Sequence, residues 1–296
     1  MPNLLEETPG LLAFVRTVET GSFSAAARDL KTTPSGVSRS VARVEEKIGT
    51  RLFLRSTRAL TLTADGHAFF ERVAPLLKEI EAAGDVISTE CQPSGRLKIS
   101  LPSELARILM EPLLSKFVKP NPALHLDIGM TDRYVDLIRE GYDVAFRVGH
   151  SPESELISRK LANLDMVLVA SPAFIEREGE PKTIAELACL PFVRYTLPAR
   201  PFEIRFSNGT LISPAGVIDC DSGFALQAAA LQGMGIAYLL KCVVADDLRR
   251  GRLVQVLPRE PLPSLPLNAL HAFGRTVPAK VRLLCDFIAQ EVRALV

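Results

Sequence analysis

The chain has 296 residues, 47% hydrophobic and 23% charged, with a net charge of +1; this suits a folded, soluble protein of about two domains. No apolar run approaches the ~20 residues of a membrane span, and the start MPNLLEETPG lacks the basic residues and apolar core of a secretion signal, so a cytoplasmic protein is expected. Cys91, Cys189, Cys220, Cys242 and Cys285 are odd in number and widely spaced without a C-x-x-C pair, which excludes a disulfide framework or a zinc site and leaves buried, inert thiols as the expectation.

The first informative stretch is Phe23 to Lys47, which reads as two amphipathic helices around a tight polar turn. Phe23, Ala26, Ala27 and Leu30 share one helical face behind Gly21 and Ser22. Thr33-Pro34 starts the second helix, a hydroxyl N-cap followed by proline where its missing N–H costs nothing. Val37, Val41, Val44 and Ile48 form its apolar stripe, while Ser35, Ser38, Arg39 and Arg43 lie opposite, as on a helix that enters the major groove. Charge is concentrated here: from Arg28 to Leu62 there are eight basic and three acidic residues, a local net of +5. Two short strands, Leu52 to Arg55 and Ala59 to Leu62, flank the turn Ser56-Thr57-Arg58 as a wing whose arginines can reach phosphates or the minor groove. The plainer alternative is a helical hairpin with a solvated charged face, in which Arg39 pairs with Glu45 or Glu46.

From Gly21 to Gly66 the chain resembles the DNA-binding region of the LysR-type transcriptional regulators. The shared features are Ala25-Ala26-Ala27, Val37-Ser38-Arg39, Glu45, Ile48-Gly49, Arg51-Leu52-Phe53, Arg55, Thr57-Arg58, Leu62-Thr63 and Gly66, in the family's order and spacing. The resemblance implies DNA reading through Pro34, Ser35, Ser38 and Arg39, with the wing adding Arg55, Thr57 and Arg58. Arg39 is the first choice for base readout, because a guanidinium can bond two guanine acceptors at once. Arg43, Arg51, Arg55 and Arg58 are expected on phosphates.

Thr63 then caps a helix predicted to run to about Ser88. Its Phe70, Val73, Leu77, Ile80, Gly84 and Ile87 follow a heptad seam, so a paired helix in a dimer is expected; the alternative is one amphipathic helix lying on its own domain. The family uses a linker helix here for dimerisation, and Pro75 predicts a kink.

Gln92-Pro93-Ser94-Gly95 marks a boundary, after which Arg96 to Leu101 alternates as a strand. A helix over Ala106 to Val118, a break at Pro120-Asn121-Pro122 and a strand through Leu124, Leu126 and Ile128 predict a parallel sheet. Tyr134 to Glu140 is predicted helical and closed by Gly141, with a strand from Asp143 to Arg147. A second α/β unit starts at Met166, with a helix opened by Ser171-Pro172, a capping box at Thr183 to Glu186 and a hairpin turn at Asn208-Gly209. The helix Phe224 to Gln232, an apolar strand ending at Leu240 and a final helix from Pro278 complete it.

This part resembles the family's two-lobed effector domain, which is related to periplasmic solute-binding proteins, through Val135-Asp136-Leu137, Gly141 to Ala145, Ala170-Ser171-Pro172, Gly233 to Ile236, Gly251-Arg252-Leu253 and Asp286-Phe287. Leu240-Lys241 departs from the leucine-proline of many relatives. The expected fold class is therefore α plus α/β: a winged helix-turn-helix (1–65), a linker helix (66–93) and an effector domain (94–296), with lobe I at about 94–163 and 267–296 and lobe II at about 164–266.

Strand ends and helix N-termini favour anions. They place Ser100, Pro102, Ser103, Thr131, Arg147, Ser222 and Gly223 as candidate effector contacts, a set of hydroxyls and one guanidinium suited to a small carboxylate or polar metabolite. For the serines simple helix caps are an equal reading, and Arg147 could instead bridge the lobes. His67, His125, His150 and His271 have no metal-ligand spacing, and nucleotide or hydrolase signatures are absent from the sequence. The expected function is a DNA-binding transcriptional regulator, dimeric or tetrameric and governed by a small effector. An enzyme and a free-standing solute-binding module are the weaker alternatives, and neither metal nor cofactor is expected.

Overall fold

The computed structural model describes residues 4–55, 60–85, 93–149, 156–196, 202–274 and 277–295. The expected wing residues Thr57 and Arg58, the seam position Ile87 and Cys91 lie outside them, as do the side chains of Arg55 and Gly84's neighbours in the last turn of the helix. The chain divides into two compact units. The first holds the N-terminal helices together with Asp136–Asp143 and Ala272–Ala279, and the second holds the remainder.

In the first unit α1 (Thr8–Thr20), α2 (Phe23–Asp29) and α3 (Pro34–Ile48) precede strands β1 (Phe53–Arg55) and β2 (Leu60–Leu62), which pair antiparallel, and α4 (Ala64–Asp85). Side-chain caps fix the helix starts: Ser22 accepts from the Ala25 N–H, Thr33 from Gly36 and Thr63 from Gly66. The connection between α2 and α3 turns through Lys31 at φ 51°, a left-handed conformation that a side chain makes costly. Phe14 of α1 is fully buried, its ring 5.4 Å from that of Phe53 and 6.3 Å from that of Phe70. Two glycines permit close approach. A Cβ on Gly10 would stand 2.6 Å from a Val44 methyl, and one on Gly66 would stand 2.1 Å from the Leu52 carbonyl oxygen.

Helix α4 runs unbroken past Pro75. Phe70 and Leu77 of the seam are buried, with Ala74, in the same core as Phe14 and Val41, so these two seam positions pack on their own chain. Leu76 and the seam residue Ile80 remain 57% and 61% exposed.

The second unit begins with β3 (Gly95–Leu101), α5 (Ser103–Pro112), a π-helical extension over Leu113–Val118, β4 (Leu124–Met130), β5 (Val144–Val148) and β6 (Ile157–Leu164). It continues through β7 (Met166–Ala170), α6 (Pro172–Glu178), α7 (Ile184–Ala188), β8 (Phe192–Tyr195), β9 (Ile204–Arg205), β10 (Leu211–Ile212) and β11 (Gly216–Cys220). The remaining elements are α8 (Gly223–Leu231), β12 (Ile236–Leu240), α9 (Lys241–Arg249), β13 (Val254–Gln255), β14 (Leu265–His271) and α10 (Ala279–Arg293). Two five-stranded sheets result, ordered β4-β3-β5-β14-β6 and β11-β8-β12-β7-β13. Each has three parallel strands at one side and antiparallel strands at the other, so the expected parallel sheets are mixed. The chain passes from the first sheet to the second after β6 and back before β14, the double crossing expected of two lobes.

Two local expectations are corrected, and the departure at Leu240-Lys241 finds its structural place. Tyr134 to Glu140 makes one hydrogen-bonded turn, because the Asp136 carboxylate caps Arg139 and Gly141, at φ 71°, ends it at once. At Leu240-Lys241, β12 leads directly into α9, and the Lys241 N–H that proline would lack donates to the Asp165 carbonyl at 2.8 Å. Cys189 is exposed at the end of the five-residue α7, while Cys220 and Cys242 are half-buried and only Cys285, of the described cysteines, is fully buried. Burial pushes the Cys285 thiol up to about 11, which keeps it inert.

Candidate functional site

Two sites emerge, one in each unit. On α3 the buried stripe Val37, Val41 and Val44 faces the core, which turns Pro34, Ser35, Arg39 and Arg43 outward into solvent, with Ser38 half-buried beside them. The Arg39 Nε donates to the Ser35 carbonyl at 3.3 Å, aligning the guanidinium along the first turn. Glu45, the alternative partner considered for Arg39, is turned the other way: its Oε1 accepts from the Leu52 and Phe53 N–H groups at 2.8 and 3.2 Å and ties the wing to α3. Arg43 lies 3.6 Å from Glu7, an exposed pair of little energetic weight. Arg51 is exposed at the base of the wing. The first two turns of α3 thus present hydroxyls and a guanidinium on one convex face.

In the second unit a cleft of about 370 Å³, within the range of small-ligand sites, opens beside the ends of β3, β5, β8 and β12. Of the expected contacts it brings together Pro102, Arg147 and Gly223. The others serve the frame. Ser100 is fully buried and accepts from Arg147 at 2.8 Å. The Ser103 N–H donates to Asp132 at 2.9 Å. Thr131 accepts from the Arg133 N–H, and Ser222 precedes α8 without a side-chain cap bond. Arg147, only 4% exposed, also donates to the Phe146 and Arg133 carbonyls.

Sequence reasoning missed the acids and aromatics of this cleft: Glu104, Asp132, Tyr134, Tyr195, Phe202 and Tyr238. Glu104 and Asp132 each sit one residue beyond an expected contact; they went unread because the search was for groups that hold an anion. Burial raises the Glu104 carboxyl above the usual carboxylate range, with Asp132 adding to the rise and Arg107 opposing it. Burial likewise raises Asp132, against the bond from the Ser103 N–H. Tyr195 is pushed up by burial and by Asp132 and Asp221, and Tyr238 to about 12 by burial alone.

Residues 10–67 match the model of the bacterial regulatory helix-turn-helix protein, lysR family, and residues 91–293 match the LysR substrate binding domain. The chain belongs to the LysR family. It is a LysR-type transcriptional regulator, with a helix-turn-helix DNA-binding domain joined to an effector-binding domain. Among relatives of this LysR-type regulator, the uncharacterized HTH-type transcriptional regulator YhjC of Escherichia coli K12 is 32% identical over 96% of this chain and 97% of its own. The solved structure of CrgA, a LysR-type regulator from Neisseria meningitidis, superposes with a TM-score of 0.61 at 32% identity, covering 96% of this chain and 98% of its own. The Vibrio cholerae virulence activator AphB does so with 0.57 at 29% identity, over 95% and 98%. Among the described residues no helix is long and apolar enough to cross a membrane.

Proposed function

We propose that this LysR-type regulator reads its operator through Pro34, Ser35, Ser38 and Arg39, with the wing adding Arg55, Thr57 and Arg58, Arg39 making the base contact, and Arg43, Arg51, Arg55 and Arg58 holding phosphates. The observation that carries the reading is the outward Arg39 guanidinium, anchored to the Ser35 carbonyl while Glu45 is committed to the wing. A wing tied to α3 by that carboxylate keeps strand arginines and helix side chains in one register on a duplex. Residues 1–65 form the DNA-binding domain, 66–93 the linker, and 94–296 the effector domain with its cleft around Arg147 and Gly223.

The protein acts in the cytoplasm as a homodimer or homotetramer, placing paired winged helices on half-sites about one helical turn (~10 bp) apart. The exposed Leu76 and Ile80 of α4 support helix pairing. The reading assigns no catalytic step: an effector that binds one lobe arrangement better than another shifts the population of DNA-binding geometries.

The test is a pull-down of genomic fragments by purified wild-type protein and Arg39→Ala at moderate salt. Enrichment of a few intergenic sites bearing an inverted repeat, lost in the variant, is expected. Equal enrichment by both proteins removes Arg39 from base readout.

A further inference from the structure

The groups of the cleft that would hold an anion are largely engaged by the protein itself: both terminal nitrogens of Arg147 and the two nearby helix starts. Arg147 donates to the Phe146 carbonyl, Ser100 Oγ and the Arg133 carbonyl at 2.6 to 2.8 Å. The first N–H of α5, on Ser103, is taken by Asp132 Oδ1 at 2.9 Å. At the start of α8, a Cβ on Gly223 would stand 2.7 Å from Cγ of Glu104 and 3.3 Å from its Oε1, so the Glu104 carboxyl already occupies the approach to that helix end. A ligand carboxylate entering this cleft would meet occupied donors and two acids.

Glu104 is the acid of the cleft that the scaffold satisfies least. It lines the cleft at 8% exposure, and neither of its carboxyl oxygens completes a hydrogen bond among the described residues, although the Phe224 backbone and Arg107 favour its charged form. Arg107, the nearest countercharge in effect, is exposed, with its guanidinium 4.9 Å from the Phe224 ring centroid. A buried carboxylate in this state is unfavourable until a cation pairs with it. Among the described lining residues Glu104, Asp132 and Glu203 stand against one base, Arg147. The rest of the lining is aromatic or aliphatic, including Tyr195, Tyr238 and Leu265.

We propose that the effector is a protonated amine on an aromatic or aliphatic body, its ammonium seated against the carboxylates of Glu104 and Asp132. This rests on the reading of the cleft as the effector site and replaces the small carboxylate expected from sequence. An ammonium carries three donors, enough for both oxygens of Glu104 and one of Asp132, whereas a neutral hydroxyl supplies one and leaves the charge unpaired. The tyrosine rings add faces that attract a cation.

The test is a ligand-observed NMR titration of the full-length protein at neutral pH with phenethylamine, 2-phenylethanol and 3-phenylpropanoate, three probes of one shape and different charge. Wild type, Glu104→Gln, Asp132→Asn and Leu265→Trp, the last filling the cleft, are compared, with thermal melting as the check on folding. Phenethylamine is expected to bind about tenfold or more tighter than the other two, and to weaken by about tenfold in Glu104→Gln and less in Asp132→Asn. Its binding is expected to be lost in Leu265→Trp. If 3-phenylpropanoate binds better and is displaced by Leu265→Trp, the amine assignment falls while the cleft remains the effector site. Amine binding unchanged in folded Glu104→Gln also overturns the assignment. If none of the three probes shows binding sensitive to Leu265→Trp, both the assignment and the cleft reading fall.

Discussion

The α3 surface and the cleft treat polar groups in opposite ways. On α3 Pro34, Ser35 and Arg39 stand in solvent on a rigid helix, and Glu45 is withdrawn to the wing. In the cleft Arg147 is buried with both terminal nitrogens bonded, and neither carboxyl oxygen of Glu104 completes a hydrogen bond among the described residues. A surface that meets a polyanion keeps its cations available and its acids occupied; a cleft with the reverse arrangement is built for a ligand of the opposite charge. The difference between the two regions lies in which groups their own scaffolds have already satisfied, more than in composition.

The largest effect comes from breaking one region while sparing the other. Phe14→Ala empties the aromatic cluster of the first unit and is expected to cost about 3–5 kcal/mol, a large part of the stability of a small domain. DNA binding should be lost, and circular dichroism should show an early melting transition ahead of that of the second unit. Coincident melting of the two units at the wild-type temperature would contradict a separate N-terminal core.

Glu45→Ala removes the acceptor of two wing N–H groups and is expected to cost about 1–3 kcal/mol in urea unfolding. Affinity should fall for operator and random DNA alike, since the wing is misplaced and not altered in sequence. Arg39→Ala sharpens the contrast by leaving the fold alone. Fluorescence anisotropy at fixed salt should show about 1–3 kcal/mol lost on the operator and a much smaller loss on a scrambled duplex. Equal losses on both would make Arg39 a phosphate contact.

How legible each region was follows from the same contrast. Helices α2 and α3 could be read because their determinants are local: Ser22 and Thr33 cap them within three residues, and Val37, Val41 and Val44 repeat at helical spacing. Helix α1 was missed because Leu11 to Val15 is an unbroken apolar run, buried on several sides and so without a period. The turn at Asp136 carried local helix signals, but Gly141 leaves room for one turn only. Strands β3, β4, β5, β7 and β12, the hairpin at Asn208-Gly209 and the caps of α6 and α7 are legible for the reason α3 is, whereas β6, β8, β11, β13 and β14 are not read from the sequence. The cleft was not legible, because the setting of Glu104 is fixed by Gly223 and Asp132, which come from other segments of the fold. The residue before it, Ser103, was chosen for a hydroxyl that makes no part of the cleft lining. Chemistry between distant segments leaves no spacing to read.

The smallest effect tests that setting of Glu104 without any ligand. The Glu104 carboxyl is raised in the folded protein, so between the ordinary carboxylate range and its raised value the native state holds a proton that the unfolded chain has released. Native protein then binds more protons than unfolded, and stability falls as pH rises through that window. Asp132, raised by its own burial, contributes in the same direction. Urea unfolding followed from pH 4 to pH 8 should therefore give a steeper loss of stability for wild type than for Glu104→Gln, with Asp132→Asn intermediate. The two profiles should meet at the acid end, where Glu104 is protonated in both states and glutamine is its near equivalent. Parallel profiles across the whole range would mean that the carboxylate is solvated or paired in the ligand-free protein, and the contrast between an acid-occupied DNA face and an acid-rich cleft would lose its second half.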